Sequence, residues 1–345
     1  MKELKDISWL VTEEEYRSDK ALSYSTLAKY EREGFSNLEH LFDKTESPSL
    51  LLGSCVDSIV TGGKDEFDSR FMVADFPQLS DSIVEIIKAL FENFRDTYHD
   101  INEIPDNIII PYTTAYKFQL NWRPETRARV IKEKGYEYYS LMYLAKDRTI
   151  VSTEMYKDVL NMTDALKTSE ATSFYFAPDN PFDDVRRYYQ LKFKASFNGI
   201  NYRCMADLLL CNYSKKVIIP VDLKTSYKPE YEFYKSFIDW GYDIQARLYY
   251  AIIRKNLDKD EYFKDFKLEN YRFIVVNRKT LNPLVWVCPF TESHDTVRYG
   301  KEGKELRSPF VIGEELDYYL SSDSKVPVGI NETGLNDIYE WINKL

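Results

Sequence analysis

The chain has few cysteines, no long apolar run and no surplus of positive charge, and each shortage removes a class of protein. Four cysteines in 345 residues (Cys55, Cys204, Cys211 and Cys288) stand without a CxxC pair. Three of them sit in apolar stretches, so the pattern excludes a disulfide scaffold, a zinc site and an iron–sulfur cluster, and predicts reduced thiols. No run of 18 apolar residues occurs, and the opening MKELKDISWLVTEEEYRSDK lacks an apolar signal core. Neither a membrane span nor a secretory leader is expected, which places the chain in the cytoplasm. A net charge of −10 excludes a uniformly basic surface that coats nucleic acid. A local basic groove remains compatible with it. Repeats and low-complexity segments are also missing. What the chain has in quantity is aromatic, 28 Tyr and 20 Phe, most of them expected in the core and in subunit contacts.

The informative stretch is Cys204–Thr225, CMADLLLCNYSKKVIIPVDLKT. Two apolar runs, Cys204–Cys211 and Val217–Leu223, flank a polar turn and predict an antiparallel hairpin in the middle of a sheet. Asp207 interrupts the first run; Asp222 and Lys224 end the second. Residues two apart on a strand share a face, so Asp222 and Lys224 point the same way and Leu223 the other. Charges in an apolar sheet cost several kcal/mol unless they pair or hold a cation, about 1–3 kcal/mol even for a merely polar group. The residues alone allow two explanations: a buried Asp–Lys ion pair, or a divalent-metal site in which carboxylate oxygens bind a hard cation and the lysine serves an attacked phosphate.

An aspartate, a hairpin turn and Asp-x-Lys resemble the core of the PD-(D/E)xK nuclease superfamily, with Ala206 standing where a proline is usual. Downstream, Tyr242, Gln245 and Tyr249 in FIDWGYDIQARLYYA are similar to the Tyr-x-x-Gln-x-x-x-Tyr helix of the exodeoxyribonuclease VIII-like, RecB-type and lambda-exonuclease-like branches. Upstream, SYSTLAKYE from Ser23 resembles the helix that borders the DNA channel there. Gly53-x-x-x-Asp57 in SPSLLLGSCVDSIVTGG resembles a Gly-x-x-x-His metal helix with a carboxylate in place of the imidazole. The resemblance implies a Mg²⁺ site of one or two ions, with Mn²⁺ as a substitute, held by Asp57, Asp207, Asp222 and the Leu223 carbonyl. It implies Asp207, Asp222, Lys224 and Gln245 as the catalytic group, and Ser23, Ser25, Lys29, Tyr242 and Tyr249 as contacts to nucleic acid. Asp222→Asn is then expected to abolish cleavage while leaving the fold intact or stabilised.

The same resemblance implies an α/β fold of restriction-endonuclease-like type, a mixed central sheet flanked by helices with a helical N-terminal elaboration. Residues 1–20 read as peripheral and 21–290 as one domain, a helical channel wall over 21–180 and a catalytic sheet over 185–290; residues 291–345 read as a helical extension. Within the wall, helices are predicted over Ser80–Arg95, Thr114–Trp122, Thr126–Lys134, Glu137–Lys146 and Thr153–Thr168, and Pro105–Thr113 as turn and extended chain. Asn198-Gly199 predicts a hairpin turn. By kinship the expected function is 5′-to-3′ exonuclease action on duplex DNA ends for recombination or repair. Such relatives are often phage-encoded, acting in the host cytoplasm beside a single-strand annealing protein and often as a homo-oligomeric ring. A structure-specific endonuclease and a non-catalytic DNA-binding subunit of the same fold are the alternatives.

Overall fold

A computed structural model describes residues 2–43, 45, 47–180 and 182–321. It divides the chain into two compact units, one of residues 1–53 and 162–345 and the other of 54–161, where the sequence reading drew a single domain across 21–290. The part of the 291–345 extension beyond Ser321 lies outside the described residues.

The first unit is built on a mixed sheet. Helix α1 (Tyr24–Glu33) precedes strands β1 (Val185–Phe197), β2 (Ile200–Asn212) and β3 (Val217–Ser226); helix α2 (Tyr242–Asp258), strands β4 (Arg272–Asn277) and β5 (Leu284–Val287) and helix α3 (Pro309–Ser321) follow. The strand order is β1-β2-β3-β4-β5, antiparallel except for the parallel β3–β4 pair, and Lys267–Leu268 adds a short parallel pairing to β3. Sequence chemistry accounts for this order. Asn198 and Gly199 take φ values of 51° and 83°, the left-handed pair that a two-residue hairpin needs, so β1 and β2 are neighbours. The parallel β3–β4 pair needs a crossover, which α2 supplies. Phe193, Ala195, Tyr202, Cys204 and Ala206 face α2 and form the core with Leu248, Ile252 and Phe273.

The first twenty residues are not peripheral. Leu4 is fully buried, Tyr16 is 4% exposed, and the Trp9 amide donates to the Lys192 carbonyl at 2.7 Å, so the charged-looking segment packs on the sheet through its few apolar side chains. Residues 291–308 are not helical either: Val297–Tyr299 and Lys304–Leu306 form a two-stranded antiparallel ladder before α3.

In the second unit, Asp81–Phe94 buries Ile83, Ile86, Ile87, Leu90 and Phe91 along one stripe, as the periodicity requires. The two helices expected across Thr126–Lys146 are one, Pro124–Ala145. Gly135 does not break it, because its missing side chain lets the helix approach Ile87 and Ile101. Asp106–Ala115 is helical with Pro111 inside it, where turn and extended chain were expected; burial of Ile109 and Thr113 on one face overrides the β-branched, proline-containing local sequence. The helix expected over Thr114–Trp122 is replaced by turns in which Lys117 and Gln119 have positive φ. The helix from Pro48 runs through Gly62 to Arg70 rather than stopping, with its irregularity at Gly63, φ 73°.

Candidate active site

Strands β2 and β3 pair from Asn212↔Val217 to Leu208↔Val221 and then part. On its opposite edge β3 pairs with β4 from Val221↔Arg272 through Ser226↔Asn277. The edge of β2 that β3 leaves is taken up by Leu22, whose amide donates to the Asn201 carbonyl and whose carbonyl accepts from the Arg203 amide, both at 2.9 Å. Helix α1 therefore starts where the two strands separate. Asp207 and Asp222 are the next residues after the last ladder pair, so both carboxylates belong to the opening. The Leu223 amide donates to Asp207 Oδ2 at 2.9 Å, a side chain replacing the strand partner that the splayed backbone has lost.

Asp222 is 2% exposed and Gln245 3%. Gln245, carried inward by α2, donates its amide N–H to Asp222 Oδ1. The Lys224 ammonium lies 2.6 Å from Asp222 Oδ2 and 4.9 Å above the Tyr242 ring. That ring packs against Phe233 and Phe273, at 5.9 and 5.5 Å with planes 23° and 26° apart, and those two rings touch each other at 6.4 Å, which fixes the floor under the ammonium. Burial is the largest single influence on Lys224 and lowers its pKa, but Asp222, Tyr242, Tyr24 and Asp207 together outweigh it, so the pKa is raised and the side chain is an ammonium. Tyr249 and Tyr271 lie close enough to feel both carboxylates; burial first, then these charges, push their hydroxyls well above the ordinary value. They stay protonated.

The donor set suits a hard cation. Gln245 Oε1 is a buried oxygen without a hydrogen-bond partner, and Asp222 Oδ2 is held by the Lys224 ion pair alone; a buried acceptor left unsatisfied is costly unless something fills it. Among the described residues no group of three or more His, Cys, Asp or Glu side chains is arranged to hold a metal ion. The protein oxygens available in this unit are thus those of two aspartates, with backbone or side-chain amide oxygens to complete a shell.

Of the residues singled out in the sequence, Asp207, Asp222, Leu223, Lys224 and Gln245 come together. Asp57 belongs to the second unit; it is half-buried, one turn along its helix from Gly53, and a Cβ at Gly53 would stand 3.4 Å from Thr225 Oγ1. Ser23 is the boundary residue of α1 with an extended backbone, but its hydroxyl does not cap the helix. It bonds the Ser25 and Thr26 hydroxyls at 2.9 and 3.1 Å. Lys29 turns its ammonium to the His40 carbonyl. Tyr242 is half-buried beneath Lys224. Tyr249 needs correction as a nucleic-acid contact: it is 8% exposed and sits edge-on to Tyr271 at 6.0 Å, so α2 directs it into the core.

Two residues at the site carried no signal of their own. Tyr24 donates its hydroxyl to the Trp240 carbonyl at 2.8 Å, tying α1 to the start of α2. Gln190 lies opposite Asp207 in the register, between Tyr189↔Leu208 and Leu191↔Ala206, at a point where the ladder has no pair. Its φ is 54°, a conformation that costs a non-glycine residue roughly 1–2 kcal/mol. The strand bends at the residue facing the candidate ligand. Nothing in YYQLKFKASF marks Gln190 out, because a glutamine in an alternating strand is ordinary.

No protein-family model and no curated protein matches the chain. Among solved structures, a protein of Eubacterium rectale provisionally named an exonuclease is similar at 16% identity with a TM-score of 0.40, over 81% of this chain and 77% of that one.

Proposed function

We propose that this chain is a divalent-metal-dependent nuclease of the PD-(D/E)xK type that acts on DNA ends. The observation that carries the reading is the convergence of Asp207, Asp222, Lys224 and Gln245 where β2 and β3 part, with the buried Gln245 Oε1 left without a hydrogen-bond partner. Asp207 and Asp222 would hold the Mg²⁺, which when bound supplies charge neutralisation at a phosphate and a more acidic water. Gln245 fixes Asp222 through its N–H and offers Oε1 to orient the attacking water. Lys224 donates from an ammonium to that water or to a non-bridging phosphate oxygen, offsetting charge as it builds. Asp57 is carried as a further ligand on its Gly53-x-x-x-Asp57 spacing alone. Ser23, Ser25 and Lys29 are carried as terminus-binding residues in the same way. Exonuclease action with 5′-to-3′ polarity, recombination or repair as the setting, an annealing partner and ring assembly all rest on the sequence resemblance and belong to the same proposal.

The test compares linear duplex DNA bearing 5′-phosphate or 5′-hydroxyl with closed circular duplex, all in Mg²⁺, for the wild type and Asp222→Asn. Progressive loss of linear DNA with the circle intact, abolished in the variant, is the expected result. Nicking of the circle at a comparable rate replaces the exonuclease with an endonuclease. Activity retained in Asp222→Asn removes the assignment of the site.

A further inference from the structure

The segment that leads from Lys224 to Gln245 has a surface the proposed chemistry does not use. Its first turn is fastened to the carboxyl ends of the parallel strands β3 and β4. Asn277, 3% exposed, donates to the Lys228 carbonyl at 2.6 Å and accepts from the amides of Lys279 and Thr280 at 2.7 and 3.0 Å. Ser226 Oγ accepts from the Lys228 amide at 3.0 Å. The carboxyl end of parallel strands is where open α/β sheets receive ligands. The short helix that follows, Phe233–Asp239, buries Phe233 and Phe237 at 2% and 0% exposure.

Burying those two rings turns others outward. Tyr227, Tyr231, Tyr234 and Trp240 are 44%, 78%, 45% and 50% exposed. Three of the four have a cation over the ring: Arg278 at 5.6 Å from Tyr227, Lys235 at 5.9 Å from Tyr234 and Arg32 at 5.2 Å from Trp240. Of the nearby carboxylates, Glu232 pairs with Lys235 at 2.7 Å and Asp239 with Lys228 at 3.4 Å, and Glu230 accepts from the Thr280 hydroxyl. Every large apolar side chain exposed between 227 and 240 is Tyr or Trp. Flat rings beside fixed cations suit a ligand that is itself a series of flat rings joined by anions.

We propose that Tyr227, Tyr231, Tyr234 and Trp240 form a stacking platform for single-stranded DNA next to the candidate active site. The platform rests on the nuclease reading for its place beside a cleaved strand. Its occupant follows from the rings and cations themselves.

Anisotropy of labelled (dT)20 in EDTA measures binding without requiring hydrolysis. Replacing two rings, Tyr231→Ala with Tyr234→Ala, is expected to raise Kd about tenfold or more, while the Tyr231→Phe, Tyr234→Phe pair stays within about twofold of wild type. Tryptophan emission is expected to be quenched on binding, and the quench to disappear in Trp240→Phe. A wild type that does not bind (dT)20, or an alanine pair whose Kd stays within about twofold, overturns the platform. So does gel filtration in which the wild type is a dimer and the alanine pair a monomer, because the rings then cover a second copy of the chain. Cleavage of linear duplex in Mg²⁺, run on the same proteins, separates the two proposals. Cleavage with ring-independent binding removes the platform and keeps the nuclease; ring-dependent binding without cleavage does the reverse.

Discussion

Asp222 shows how a single residue changes meaning once its neighbours are known. Two carboxylates at the end of a hairpin suggest repulsion, whose relief in Asp222→Asn leaves the fold intact or stabilised. In the fold the carboxylate is paired with Lys224 at 2.6 Å, a side chain only 20% exposed, and accepts from Gln245. Removing the charge leaves a largely buried ammonium without its partner, so Asp222→Asn is expected to destabilise by about 1–3 kcal/mol in urea titration. Adding Lys224→Met, which removes the stranded charge, is expected to recover part of that loss. An Asp222→Asn chain as stable as wild type refutes the ion pair. Asp207, Asp222 and Lys224 were legible as candidates because charge in an apolar run is conspicuous. Gln190 and Tyr24 were not, since neither residue type is out of place in its own element.

At the scale of elements, local pattern predicted the hairpin strands β2 and β3 within a few residues and the Asn198-Gly199 turn, because alternation and turn chemistry are written locally. It failed where packing overrode propensity, as at Asp106–Ala115 and Gly135. The contact between α3 and β2 gives a test of the same kind. A Cβ on Gly313 would lie 2.9 Å from two carbons of the Tyr202 ring and still nearer its hydroxyl, and that ring is 1% exposed. Although alanine is the better helix former by about 1 kcal/mol, Gly313→Ala is expected to destabilise by about 1–3 kcal/mol through overpacking. Tyr202→Phe, by withdrawing the hydroxyl, is expected to offset part of the penalty when the two are combined. Additive effects in a double-mutant cycle by thermal or urea unfolding contradict the contact.

For the whole molecule, the scarcity of cysteine becomes a statement about reactivity. All four thiols are free and buried. Burial pushes Cys55 and Cys211 up to about 12 and Cys288 up to about 11, and raises Cys204 further. Almost no thiolate exists at pH 8, so iodoacetamide is expected to leave the native protein unlabelled, to label four sites in urea, and dithiothreitol to leave Tm unchanged. Rapid labelling of the folded chain contradicts this packing. Among the described residues no helix is long and apolar enough to cross a membrane, in line with the missing apolar runs.

The sequence by itself determined the hairpin, its two aspartates, the Asp222-x-Lys224 face and the glutamine of α2, because side-chain polarity and spacing fix which face of an element a residue occupies. Only the tertiary structure decided that β2 and β3 part beyond Leu208↔Val221 while β3 stays paired with β4 on its other edge, that Leu22 takes the edge of β2 so vacated, that Tyr249 turns inward, and that residues 1–20 belong to the core unit. Each of these depends on which distant segment satisfies a backbone edge or covers an apolar face. That choice is made by competition among non-local partners, and no local period records its outcome.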